Sequence, residues 1–177
     1  MSLANIKAKS QGFTIVELLI VVVVIAVLAA ITIVSYNGIT TRANASAAKA
    51  SASTVQKKLE LYASETGTTG TYPVTFATLT GDSSKSYYLS GVSFQAGDPT
   101  SSTTTNTVTY RICGRSSTAT APSNLAGITS GGAITGARVG YWNAETSGIG
   151  WVDLGTVSGT VTVGATTHAL ACFAPAS

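Results

Sequence analysis

Residues 12–34 read GFTIVELLIVVVVIAVLAAITIV, and this stretch decides how the 177-residue chain is organised. From Phe13 to Val34 it is apolar apart from two threonines and one carboxylate, Glu17. At about 1.5 Å per residue, a helix of this length reaches roughly 33 Å, which is enough to span a bilayer. The β-branched run lowers helix propensity in water. In lipid, however, the backbone must satisfy its own hydrogen bonds, so a helix is expected.

Glu17 is the unusual residue of this segment. Acids are disfavoured in hydrocarbon and usually mark function where they occur there. Lys7 and Lys9 lie just upstream, and the positive-inside rule predicts a cytoplasmic N-terminus with the rest of the chain outside. We therefore expect Glu17 to meet a cationic partner.

The N-terminal segment admits two processing sites. A conventional signal peptide would be cut after its apolar part, near Ala29-Ala30, although the apolar pattern continues through Val34. A cut at the Gly12-Phe13 junction would instead leave the apolar helix on the mature protein.

The string G-F-T-I-V-E-L-L, Gly12 to Leu19, behind a short basic leader resembles the class III signal peptide of type IV pilins. The related type II secretion pseudopilins share it. The resemblance implies that a prepilin peptidase removes residues 1–12 and methylates the new N-terminus at Phe13. Many pilins also have a glycine and a proline at the positions of Ala26 and Val34. Because this chain lacks both, the local helix melting of family filaments is not carried over.

Glu17 and the Phe13 amine created by cleavage are the predicted assembly residues. They lie one helical turn apart, near the positive end of the helix dipole. In a bundle of apolar helices, a buried acid is tolerated only when it is paired. We expect the Glu17 carboxylate of one subunit to meet the Phe13 amine of the next, which would set the register of packing.

The remaining chain predicts an α+β head. Asn37-Gly38 is a candidate break or kink, but helical periodicity returns over 36–66, so the sequence predicts one long N-terminal helix from 13 to about 65, with a loop at 67–73. The predicted fold is pilin-like, with this helix packed on an antiparallel sheet. The domain prediction is a removed leader at 1–12, a transmembrane and filament-core helix at 13–35, an amphipathic helix at 36–66 and a β-rich head at 67–177. We expect the second helix to pack on an antiparallel meander through Ala48, Ala52, Val55, Leu59 and Tyr62. A short helical turn is predicted around Phe76 to Leu79, with strands at 87–94, 107–113, 137–142, 150–154, 160–163 and 167–173.

Cys113 and Cys172 are the only cysteines of the chain. An even pair in an exported protein favours one disulfide, and two free buried thiols are the alternative.

Composition argues against a nucleic-acid-binding or catalytic protein. Net charge is +3, and it falls to +1 once Lys7 and Lys9 leave with the leader, so the basic pI does not indicate a DNA partner. The lone His168 has no catalytic neighbours in sequence, and no set of residues has metal-ligand spacing. Three further candidates are weak: a calcium site from Asp82, Asp98 and Asp153, a glycosylation sequon at Asn44, and O-glycans on the Ser/Thr-rich loops 99–107 and 116–123.

The densest aromatic group is Tyr141, Trp142 and Trp151, and it is accompanied on nearby predicted strands by Arg111, Arg115 and Arg138. Such residues can form a DNA-stacking surface. The favoured interpretation is sheet core with scattered, solvated arginines, which leaves DNA as an unsupported partner.

The sequence thus predicts a non-enzymatic structural subunit without cofactors. It would be inserted in the cytoplasmic membrane, processed by prepilin peptidase and polymerised by the pilus assembly machinery into an extracellular helical filament. Adhesion, motility or DNA uptake follow from the resemblance alone. A pseudopilin or minor pilin is the nearest alternative, and a membrane-anchored surface binding protein that never polymerises is the alternative from another class. A secreted enzyme with a conventional signal peptide has no catalytic constellation to support it.

Overall fold

The protein is described here from a computed structural model, which covers residues 12–66, 72–101, 104–116, 124–129 and 132–175. The predicted leader residues 1–11, most of the predicted loop after the first helix, and residues 102–103 and 117–123 of the Ser/Thr-rich loops lie outside the described residues. Contacts divide the chain into two compact units, Met1–Thr40 and Thr41–Ser177.

One helix runs through most of the N-terminal third. It is α1, Ile15–Glu65, which confirms the predicted single long helix, and it continues through the candidate break at Asn37 and Gly38. Asn37 and Gly38 favour turns only weakly against a helix that is already propagating on both sides. In the first unit its apolar side chains are at least half exposed, and Phe13, just before the helix, is 89% exposed.

The second unit is an α+β head. Its remaining elements are the short helices α2 (Ala77–Thr80) and α3 (Leu125–Thr129) and six strands. The strands are β1 (Ser93–Phe94), β2 (Thr107–Arg115), β3 (Ala133–Asn143), β4 (Gly148–Gly155), β5 (Thr160–Val163) and β6 (Thr166–Phe173). A long N-terminal helix with an antiparallel sheet confirms the predicted fold class.

The sheet is not the simple meander that the sequence suggests. Its order is β4-β3-β2-β6-β5, so the last strand inserts between β2 and β5, while β1 pairs with β2 in parallel. The prediction of a strand over 87–94 is also wrong for all but its last two residues. Turns occupy 83–87, where the Asp82 carboxylate accepts bonds from the Ser84 amide and hydroxyl, and Gly91 has φ +75°.

The head core lies between α1 and one face of the sheet. Three of the five buried α1 residues are alanines, which fits the Ala-rich composition of 43–53. Ala48, Ala52, Val55 and Leu59 are buried as predicted, and Tyr62 packs at the core edge with its ring 5.0 Å from that of Tyr87. The strand residues of the same cluster are Val108, Tyr110, Ile112, Ala137, Val139, Tyr141 and Leu154.

Tyr110 is the largest fully buried side chain of this core. Its hydroxyl donates to the Pro73 carbonyl at 3.1 Å, so the buried oxygen is satisfied. Burial raises the pKa of Tyr110 well above its ordinary value, with smaller contributions from Tyr72 and Tyr62. Tyr110 therefore ties the segment after α1 to the centre of β2.

Candidate functional site

The predicted processing and assembly residues cluster at the start of α1. Gly12, Phe13 and Thr14 precede the helix, and Glu17 lies in its first turn. Phe13 and Glu17 line one shallow surface groove, together with Leu18, Ile20 and Val21.

A capping box closes the N-terminus of this helix. The Thr14 hydroxyl accepts from the Glu17 amide at 3.2 Å, and the Glu17 carboxylate accepts from the Thr14 amide at 3.1 Å and from its hydroxyl at 2.9 Å. This reciprocal pattern satisfies N–H groups that the first turn would otherwise leave without partners. This role of Thr14 was not predicted, although T-I-V-E has the Ser/Thr-x-x-Glu spacing of a capping box.

The capping box uses only one of the two carboxylate oxygens. Both bonds from Thr14 end on Glu17 Oε2, and within the described residues no hydrogen bond reaches Oε1. A carboxylate can accept several bonds, so the remaining oxygen can still receive a cation.

The apolar surface beyond Glu17 has no cover within the described part of the chain. Helix α1 is long and apolar enough to cross a membrane, and none of its most apolar 18-residue window is buried. The exposed fractions of the large apolar side chains between Leu18 and Val34 run from 50% at Val24 to 75% at Val34. A surface of this size on one helix requires lipid or other apolar helices around it.

In the head, Cys113 and Cys172 form a disulfide, as predicted. They are directly opposed on the neighbouring strands β2 and β6, with Cα atoms 4.0 Å apart. The bond ties the last strand into the middle of the sheet.

Two of the three arginines expected to be scattered and solvated are instead ordered around one indole. Arg138 lies 4.4 Å and Arg111 5.2 Å from the Trp151 ring centroid. Arg138 binds the Asp153 carboxylate with two bonds, at 3.1 and 3.3 Å, and Arg111 binds Asp98. The cause is strand register, because Arg138 lies opposite both Arg111 and Asp153. With each cation matched by an acid, this Trp151 cluster offers little charge to a phosphate backbone.

The aromatic group predicted with it is divided between surfaces. Tyr141 belongs to the core, whereas Trp142 lines a small depression with Asn44 and Ala48 of α1. Arg115 donates to the Ser116 carbonyl, at 3.5 Å. These residues therefore do not join Trp151 in one stacking surface.

The other candidates form no centre of chemistry in the part of the chain that the structure covers. His168 is buried on β6, and Asn44 is exposed on α1. Asp82 caps a turn, while Asp98 and Asp153 are bound by arginines. Across the described ranges, no three His, Cys, Asp or Glu side chains gather as metal ligands.

These features define an α+β protein with a pilin-like fold and a long N-terminal apolar helix. Residues 7–33 match the family described as the prokaryotic N-terminal methylation motif. The chain thus carries a class III signal peptide like that of type IV pilins, and the motif supports a pilin-like or pseudopilin-like precursor that is anchored in a membrane before assembly. A search of curated proteins and a search of solved structures each found no significant match.

Proposed function

We propose that the chain is a structural subunit of a type IV pilus-like surface filament. Prepilin peptidase removes residues 1–12 and methylates Phe13. Residues 13–35 anchor the subunit in the cytoplasmic membrane and then form the filament core. Residues 36–66 are the helical spine of a head that comprises 67–177.

The observation that carries this proposal is the uncovered apolar half of α1, most of which lies within a methylation motif. The match at residues 7–33 includes the Gly12-Phe13 junction and Glu17. Helices of identical subunits can bury this surface against one another once they leave the membrane. Such a contact joins different faces of successive subunits, so it continues as a filament rather than closing.

Glu17 sets the register in this proposal. After cleavage, Phe13 carries an amine. The Oε1 atom of Glu17 accepts a hydrogen bond from the Phe13 amine of a neighbouring subunit, while Oε2 keeps its hydrogen bonds from Thr14. An acid left unpaired in the apolar core is costly, so only the stagger that pairs it is stable. Capping and pairing can therefore coexist on one carboxylate.

The proposal covers major pilins, minor pilins and pseudopilins. Adhesion, motility and DNA uptake rest on the family resemblance. Nothing in the Trp151 cluster favours DNA, because its arginines are ion-paired. A non-polymerising surface binding protein would need neither a cut after Gly12 nor Glu17.

Mass spectrometry of the mature N-terminus, together with filament yield, tests this function. The proposal expects a chain that starts at methylated Phe13, and an intact Met1 or a start after Ala30 would contradict it. Glu17→Gln should be inserted and cleaved normally but lose filaments, because the neutral amide cannot pair with an amine.

Glu60→Gln is the matched control, since Glu60 is an exposed acid on the same helix within the head. It should leave filament yield unchanged. Equal yields from Glu17→Gln and the unsubstituted chain would remove the register argument, even with correct cleavage.

A further inference from the structure

The two edges of the sheet differ in their protection against pairing. The β4 edge carries the charged Asp153, whereas β5, at the other edge, lies in the uncharged stretch 154–167. Exposed edge strands invite pairing with another chain, and proteins usually block them with charge, proline or bulges. The strand β5 has no charged residue or proline.

The hairpin formed by β5 and β6 extends beyond the main sheet. β6 pairs with β2 through Leu170–Phe173, but it pairs with β5 through Thr166–Ala169. In the stretch 158–167 every residue except Val161 is exposed. A two-stranded ribbon of this kind gains stability when a further strand joins it.

The backbone groups at the free edge can be assigned from the ladder. The Leu170 amide donates to the Gly159 carbonyl at 3.1 Å. Hydrogen-bonded positions alternate in antiparallel strands, so Val161 and Val163 also bond toward β6. The amides and carbonyls of Thr160 and Thr162 therefore point away from β6, and no backbone bond to them occurs within the described residues.

We propose that β5 is a docking edge for β5 of a second copy of this chain, paired antiparallel about a two-fold axis at Val161. In this register Thr160 lies opposite Thr162 of the other copy, so all four outward groups of each strand are used. The absence of charge from 154 to 167 lets two identical edges meet without repulsion.

This contact goes beyond the proposed polymerisation. A filament relates its own subunits by a screw operation, whereas a two-fold pair joins heads of two separate filaments. One four-residue edge is a weak contact, but repetition along two filaments multiplies it. The expected consequence is lateral bundling.

Cysteine cross-linking tests the register. Opposed Val161 residues would occupy a non-hydrogen-bonded pair, with Cα atoms about 4.5 Å apart, within disulfide range. Val163 would lie opposite Gly159, so two Val163 residues would be roughly 13 Å apart. Under mild oxidation, Val161→Cys should give covalent dimers on a non-reducing gel, while Val163→Cys should not.

The cross-linking is done on filaments and on the mature chain, residues 13–177, in lipid vesicles. The vesicle sample makes the test of the docking edge independent of polymerisation. Equal dimer yields from the two variants, or no dimers from Val161→Cys in either sample, would overturn the docking edge. Loss of filaments alone would instead count against the proposed function.

A charge at the edge gives a second readout. Thr162→Lys should abolish bundles seen by electron microscopy while filament yield stays unchanged. The two lysines would occupy diagonal positions on the same face of the pair, about 7–8 Å apart, and would repel each other. Thr167→Lys is the control, since Thr167 lies opposite Thr162 on β6 and carries no outward edge group toward the partner. Bundles that survive Thr162→Lys, or that disappear equally with Thr167→Lys, would contradict the proposal.

Discussion

The two halves of helix α1 follow the same backbone geometry but face different surroundings. Before Thr41 the apolar side chains are at least half exposed, as with Leu28 at 57%. Beyond it, five residues of the helix are buried, among them Leu59 at 0%. The buried residues of this helix therefore all lie in its second half, where Leu61 is still 42% exposed.

The difference teaches that hydrophobicity alone does not identify the core of this protein. Among the described residues, the α1 members of the head core cluster all come from the Ala- and Ser-rich segment and its continuation, Ala48, Ala52, Val55 and Leu59. Small residues suit close packing on a sheet, whereas the Val-rich run is suited to lipid and to identical helices. Four sets of substitutions test this contrast between the two halves and the head that the second half supports.

The largest expected effect comes from removing the disulfide. Replacing Cys113 and Cys172 by alanine removes a cross-link between two residues with a sequence separation of 59. In the chain-entropy model this lowers the free energy of unfolding by about 4 kcal/mol. Denaturant unfolding of the detergent-solubilised mature chain should show the loss, while cleavage at Gly12 proceeds as before. Unchanged unfolding would contradict the role of the bond.

Leu59→Ala and Leu28→Ala compare the two helix halves with one substitution. Leu59→Ala should lower the free energy of unfolding by about 3 kcal/mol, because it leaves a cavity between α1 and the sheet. Leu28→Ala should leave unfolding in detergent unchanged, since the Leu28 side chain is 57% exposed. Equal losses at the two positions would refute the contrast between the halves.

Tyr110→Phe tests the buried hydroxyl in the head. Loss of the bond to Pro73 should cost about 1 kcal/mol, because the Pro73 carbonyl loses its donor. The direction in which the stability changes with pH also follows from the burial of this hydroxyl. The folded state keeps this phenol protonated above its unfolded pKa of about 10, so wild-type stability should fall as pH rises past that value. Tyr110→Phe should fall less steeply, and a parallel pH profile would count against burial as the cause.

The smallest expected effect comes from Thr14→Val, which removes the hydroxyl of the capping box but leaves Glu17. We expect fraying of the first turn and a modest decrease in filament yield, well short of the loss with Glu17→Gln. Thr14→Ser should restore the yield because it keeps the hydroxyl. If Thr14→Val abolished filaments as completely as Glu17→Gln, the two oxygens of Glu17 would not act separately.

Much of the architecture could be predicted because its signals are local. The periodicity of Ala48, Ala52, Val55 and Leu59 identifies the buried helix face, and alternation with turn residues gives the positions of β2 to β6. The cysteine pair could be proposed because no other cysteine competes for either thiol.

The remaining features depend on contacts distant in sequence. Insertion of β6 between β2 and β5, and the parallel pairing of β1, leave no trace in local periodicity. The Trp151 cluster depends on the register of three strands, which sequence alone does not specify. Helix α3 is too short to show a periodicity. Its local signal is Asn124, whose side-chain oxygen accepts a hydrogen bond from the Gly127 amide at the start of the helix.

A filament structure by cryo-electron microscopy, at a resolution that shows side chains, tests the central claim most directly. The measured quantity is the distance from Glu17 Oε1 to the nearest Phe13 amine of another subunit. We predict a hydrogen-bonded ion pair, about 2.7–3.2 Å between the two atoms, with Oε2 still bound to Thr14. A Glu17 carboxylate that meets no Phe13 amine from a neighbouring subunit would contradict the proposed assembly.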